Sequence, residues 1–349
     1  MMPNAQSRAR GALLGLAIGD ALGMPTQYMP RELIAGRYGV LDRFHDAPPD
    51  NIISHGMAAG RVTDDTDQAV ILGQLIVEGR GHVDPEAFAR QLLAWEQRMI
   101  AAGSDDLLGP STRRALTLVS EGTSTDLTGR TGATNGAAMR VAPVGVAFAA
   151  EPLPILIDAV VQTGHVTHNT TIGLAGAAAV AAAVSIGIDG ASVGEALARS
   201  IEGARLGALR GYYYAGADVA ARIEWALELV RGRRVEEALD LIYRLVGTGV
   251  ATQEAVPAAI AICSLAPDDP WLVCRLAASL GGDCDTVAAI AGAIVGACHG
   301  VEGFPREVID KLHAANPGLQ LEALADALLD LRGGAATRAA GQHPSLERG

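Results

Sequence analysis

The chain has 349 residues, 49% hydrophobic and only 19% charged, which is too apolar for a disordered protein. Its 39 acids outweigh 27 bases, for a formal net charge of −12. With no run of bases there is no electrostatic footprint for a phosphate backbone, so nucleic acid is not expected as a main partner.

Helical periodicity runs from one end of the chain to the other. At the start, a short apolar run follows Arg8 and Arg10 and ends at Asp20 without a convincing cleavage site. That pattern is not a signal peptide, and a cytoplasmic location is expected. Gly11, Gly15, Gly19 and Gly23 recur every fourth residue, as do Gly292, Gly296 and Gly300, extended by Ala288. Glycine inside a helix costs about 1 kcal/mol against alanine. Such a series on one helix face admits close approach of another backbone. The two ridges are therefore expected to be buried, against each other, and an antiparallel crossing would bring Asp20 near Asp283 and Asp285. Residues 37–60, with Pro48, Pro49, Asn51 and Gly56, read as an irregular, mobile loop. A helix is expected over 63–79, with Ala69, Val70, Leu72, Ile76 and Val77 at helical spacing. Further helices are expected over 84–101, 155–163, 170–188, 193–203, 218–231, 235–246, 254–265, 285–300, 306–316 and 319–332. Residues 169–188 carry no charge, but they are mostly Ala and Gly and lack an aromatic belt or basic flank. They read as a buried helix, and no membrane partner is expected. Cys263, Cys274, Cys284 and Cys298 show no CxxC pair, which disfavours a zinc site and suits buried free thiols in a reducing compartment. Residues 333–349 read as a disordered tail. Residues 8–332 read as one compact, all-α, multi-helix domain.

Two clusters carry the chemistry. Thr63, Asp64, Asp65, Thr66 and Asp67 stand at a helix start. Thr63 suits an N-cap, and acids in the first turn complement the helix dipole. Capping needs one or two such residues, not three carboxylates and two hydroxyls in five positions. Gly281, Gly282, Asp283, Cys284, Asp285 and Thr286 precede a second apolar helix. The glycine pair permits unusual backbone angles and close approach. Together the clusters offer hard oxygen ligands for Mg²⁺ or Mn²⁺, and two such ions would make a binuclear site. Without cations, like-charge repulsion would oppose bringing these acids together. Other candidates are weaker. His165 and His168 could form an i, i+3 metal pair, although one site residue and one structural histidine fits better. Tyr212, Tyr213 and Tyr214 could stack an adenine, or simply pack. Arg140 could bind phosphate or sit in a structural ion pair. No G-x-S-x-G elbow or Walker loop is present.

These motifs, in this order, resemble the ADP-ribosylglycohydrolases. The resemblance runs from Gly11–Pro25 (GALLGLAIGDALGMP) through Thr63–Thr66 and Thr134–Arg140 (TNGAAMR) to His168 and Gly282–Thr286 (GDCDT). It points to a bacterial branch of that family. It implies an all-α fold around two Mg²⁺ or Mn²⁺ ions, held by Thr63, Asp64, Asp65, Asp283, Asp285 and Thr286. It further implies that Thr134, Asn135, Gly136 and Gly282 line the substrate pocket, with His168 beside the ligand. Asp64, Asp65 and Asp285 would then steer or activate water for hydrolysis at the ribose C1, through an oxocarbenium-like state.

Two positions depart from the family pattern. Gln27 stands where many relatives carry a catalytic Glu; it can hydrogen-bond but cannot exchange a proton. Thr134 replaces a Gly before the Asn-Gly pair. The expected activity is release of ADP-ribose from a modified protein or small conjugate. The alternatives are hydrolysis of a small ribosyl or nucleoside-like metabolite, and a weakly catalytic ADP-ribose-binding protein. The oligomeric state is left open by the sequence.

Overall fold

The computed structural model describes residues 3–101 and 108–340. Among them are eighteen α-helices and no strand; the extended segments meet only in isolated bridges, Thr134 with Ala251 and Thr170 with Tyr212. Helix starts follow local chemistry. Thr63, Thr170 and Asp218 each accept a backbone N–H of their own first turn, and Ser192 with Glu195 closes a capping box.

The two glycine ridges cross antiparallel at the centre. Helix Ala5–Gly23 lies against Cys284–His299 so closely that a Cβ on Gly11, Gly15 or Gly19 would fall under 3.0 Å from backbone of Gly296, Gly292 or Ala288. A Cβ on Gly23 would strike the Cα of Asp285. The glycines are there because two backbones touch, and the crossing carries Asp20 to the start of the partner helix. A second close crossing pairs Thr171–Ile188 with Val193–Gly207, where Gly203 and Gly207 meet the Ala178 and Leu174 carbonyls. Thr171–Ile188 is long and apolar enough to cross a membrane, but 89% of it is buried inside the protein. The four cysteines are free and buried.

Three of the helices absent from the sequence reading share a physical signature. Pro110–Ser120, Ala142–Ala147 and Pro270–Ala278 each carry proline in the first turn, where its missing N–H does no harm. Residues 242–246 form a π-helical turn at the end of Val235–Leu241. The segment expected to be mobile begins inside a helix, Arg31–Tyr38, and is then fastened down. The Asn51 amide donates to the Gln27 carbonyl at 2.9 Å, its oxygen accepts Ile53 and Ser54 N–H, and Ser54 Oγ donates to the Met24 carbonyl. The last helix runs Leu321–Ala340, past the expected boundary at Arg332; 341–349 lie outside the described residues.

Candidate active site

A cavity of about 630 Å³ opens over the N-termini of helices Asp64–Glu78 and Cys284–His299. Asp64, Asp65, Asp283, Asp285 and Thr286 form one side; Thr134, Asn135 and Gly136 form another; Gln27 and Tyr28 close a third. The positive end of each helix dipole lies at these carboxylates and favours negative charge there.

Asp20, Asp65 and Asp285 each present an oxygen within 4.8 Å of the others, and all three are buried. Asp20 is saturated. It accepts Thr63 Oγ1 at 2.8 Å, Thr66 Oγ1 at 2.5 Å, and the backbone N–H of both threonines. Asp65 Oδ2 accepts from Thr286 Oγ1 at 3.2 Å, but Asp65 Oδ1 and Asp285 Oδ1 are buried without any hydrogen-bond partner. Asp283 accepts the Asn135 amide at 2.5 Å, and Asp64 accepts the Gln68 amide at 2.7 Å. Burial, then the neighbouring carboxylates, pushes Asp64, Asp65 and Asp285 well above the usual carboxylate range. Burial pushes Asp20 and Asp283 up to about 6, against the hydrogen bonds they accept.

Native proteins seldom leave buried carboxylate oxygens unpaired, because the desolvation penalty is then uncompensated. Two such oxygens within one cluster of hard donors fit a divalent cation. The donor set therefore fits a hard divalent cation in its chemistry.

The ADP-ribosylglycohydrolase family model matches residues 1–338. The chain belongs to the ADP-ribosylglycohydrolase family. Like its characterised relatives, it is a hydrolase of that family. It is 37% identical over 310 residues to the uncharacterised protein YegU of Escherichia coli, covering 88% of this chain and 92% of that one. It is 30% identical over 320 residues to the ADP-ribosylarginine hydrolase Tri1 of Pseudomonas putida, covering 88% and 75%. Among solved structures, an ADP-ribosylglycohydrolase-related protein complex superposes with a TM-score of 0.71 at 27% identity, covering 94% of this chain and 99% of that one.

Within this member of the family, the expected site residues fall into two sets. Asp64, Asp65, Asp283, Asp285, Thr286, Gln27, Thr134, Asn135 and Gly136 all line the cavity. Three others stand behind it. Thr63 caps its helix and donates to Asp20. Gly282, at φ +72°, shapes the loop: its N–H donates to the Met29 carbonyl, and its own carbonyl accepts Tyr28 N–H at 2.6 Å. His168 is fully buried and does not itself line the cavity; Gly136 has no room for a Cβ because the imidazole is there. His165 faces Asp126, so the two histidines form no metal pair. Tyr212, Tyr213 and Tyr214 do not line the cavity: Tyr213 is 84% exposed, and Arg130 stacks over Tyr212. Arg140 fits neither expectation, since it reaches neither the cavity nor a carboxylate. Asp20 was missed as a member of the cluster, although the glycine register already placed it opposite Asp285.

Proposed function

We propose that this protein is a cytoplasmic, Mg²⁺- or Mn²⁺-dependent glycoside hydrolase that cleaves the C1 ribosyl bond of an ADP-ribosylated protein or small conjugate. The observation that carries this reading is the pair of buried, unpartnered oxygens, Asp65 Oδ1 and Asp285 Oδ1, on the floor of the cavity. The name of the Pseudomonas relative, an ADP-ribosylarginine hydrolase, supports the substrate class. The cavity volume lies in the range of pockets for ligands of drug size.

Asp64, Asp65, Asp283, Asp285 and Thr286, with Thr63 behind them, would hold two divalent ions. Such ions, when bound, neutralise the carboxylates, orient hydroxyl ligands and lower the pKa of water. The rest of the work falls to this chain's own side chains. Asn135 is tied to Asp283 and so has a fixed orientation at the cavity wall. Gln27 Nε2 is buried, unpartnered and at the cavity, so it donates a hydrogen bond to a ribose oxygen or to the leaving group. An amide cannot take up a proton. Proton transfer therefore falls to an aspartate of the cluster, Asp64, Asp65 or Asp285. The transition state at C1 is oxocarbenium-like.

The test is release of free ADP-ribose from arginine-, serine- and nucleotide-linked conjugates in Mg²⁺, Mn²⁺ or chelator. Metal-dependent release from any of them supports the reading. Turnover of free ribosyl metabolites alone would favour the small-molecule alternative, which Gln27 and Thr134 favour. Metal-dependent binding of ADP-ribose with no turnover of any conjugate would contradict catalysis.

A further inference from the structure

A buried file of side chains joins the carboxylate cluster to the opposite cavity wall. Asp64 Oδ2 accepts from Gln68 Nε2 at 2.7 Å, and Gln68 Oε1 accepts from Arg140 Nη1 at 2.8 Å. Arg140 Nη2 donates to Thr167 Oγ1 at 2.5 Å. Thr167 Oγ1 lies 2.7 Å from His168 Nδ1, and His168 Nε2 lies 3.0 Å from Thr134 Oγ1. Gln68, Arg140, Thr167 and His168 are all at most 1% exposed. Arg140 is a buried guanidinium with no carboxylate against it; it stacks 5.1 Å over Phe88.

Arginine has five donors and no acceptor, so it sets the sense of every bond beside it. Toward the cluster, Gln68 must turn its oxygen to Arg140 and its amide to Asp64. Toward the wall, Thr167 Oγ1 accepts from Arg140 and keeps one hydrogen to give. Burial, then the charge of Arg140, holds the His168 pKa well below its ordinary value, so the ring is neutral with one N–H. If Nδ1 carried that hydrogen, Thr167 would accept twice and its own hydrogen would be left in the interior. If Nε2 carries it, Thr167 donates to Nδ1, Nε2–H donates to Thr134 Oγ1, and every buried group is satisfied. Thr134 then accepts from behind, and its hydroxyl hydrogen faces the cavity that it lines.

We propose that Arg140 is a positioning residue that fixes the Nε2–H tautomer of His168 and thereby makes the Thr134 hydroxyl a hydrogen-bond donor to an acceptor oxygen of the bound ligand. Through Gln68 the same guanidinium occupies one oxygen of Asp64. The ligand's identity as an ADP-ribosyl group rests on the function proposed above; the tautomer does not.

The test has two readouts. Long-range ¹⁵N NMR of the histidine rings in the diamagnetic protein, with His168 assigned by its loss in His168→Gln, should show the neutral Nε2–H form at neutral pH. A neutral Nδ1–H ring or a charged ring would overturn the proposal. Calorimetric titration of ADP-ribose into metal-loaded protein should show Thr134→Val and Thr167→Val each weakening binding about tenfold, the scale of one hydrogen bond. The double variant should be no weaker than Thr134→Val alone, Thr167→Ser should restore binding, and metal affinity should not change. Additive losses, or full affinity in Thr134→Val, would overturn it. If wild-type protein binds no ADP-ribose, the proposed function fails, while the NMR result still decides the tautomer.

Discussion

Replacing Gly15 with alanine tests the backbone crossing on which the site depends. By helix propensity alone the change should stabilise by about 1 kcal/mol. The structure reverses that sign. The new Cβ would stand 2.8 Å from the Gly292 carbonyl carbon and 2.9 Å from Phe304 Cζ, where ordinary contact needs 3.4–4 Å. One of these neighbours is backbone of a buried helix and cannot rotate away, so the helices must separate. Overpacking of this kind costs about 1–3 kcal/mol. Because the clash is with backbone, the upper end applies, and the net expectation is a loss of about 2 kcal/mol, or a fall in Tm of about 3 °C for a chain of this length. Gly36→Ala is the control: Gly36 lies in an exposed helix with nothing within 4 Å of the added Cβ. There the same substitution should stabilise by about 0.5–1 kcal/mol. Thermal unfolding of both variants in chelator reads the difference. Gly15→Ala unfolding at or above the wild-type temperature would refute the crossing.

Other predictions concern the carboxylates. In chelator, stability should fall as pH rises from the unfolded carboxyl value of 3.8 through about 6, where Asp20 and Asp283 titrate. The folded state holds protons there that the unfolded chain has released, so the slope of unfolding free energy with pH is negative. Urea melts at pH 5 and pH 8 check this, and higher stability at pH 8 would contradict it. Asp65→Asn and Asp285→Asn each remove a buried charge, so neither should destabilise the chelated protein at pH 8; both should abolish the rise in Tm that Mn²⁺ brings to wild type. Gln27→Glu should change the pH–rate profile, because it puts a titratable group at the cavity; an identical profile would place residue 27 away from the reaction.

Much of this architecture is legible in local spacing. The four-residue glycine repeats encode both the contact and its register, since only residues without a side chain leave room for two backbones. The acidic helix starts are legible because three carboxylates exceed what capping requires. What spacing does not show is which side chain faces which once helices pack. His168 belongs to a motif near the ligand, yet the turn after Gly132 puts Thr134 in front of it. Arg140 has no acid nearer in sequence than Glu151, and its partners Gln68 and Thr167 come from two other helices. Three proline-started helices, Pro110–Ser120, Ala142–Ala147 and Pro270–Ala278, escaped the periodicity reading, because proline marks loops as well as helix starts.

The most direct measurement is calorimetric titration of ADP-ribose into chelated protein and into protein loaded with Mg²⁺ or Mn²⁺. The carboxylate cluster predicts binding that appears only with the cation and is lost in Asp65→Asn. Equal affinity in chelator, or full affinity in Asp65→Asn, would contradict a ligand seated on a metal held by these aspartates.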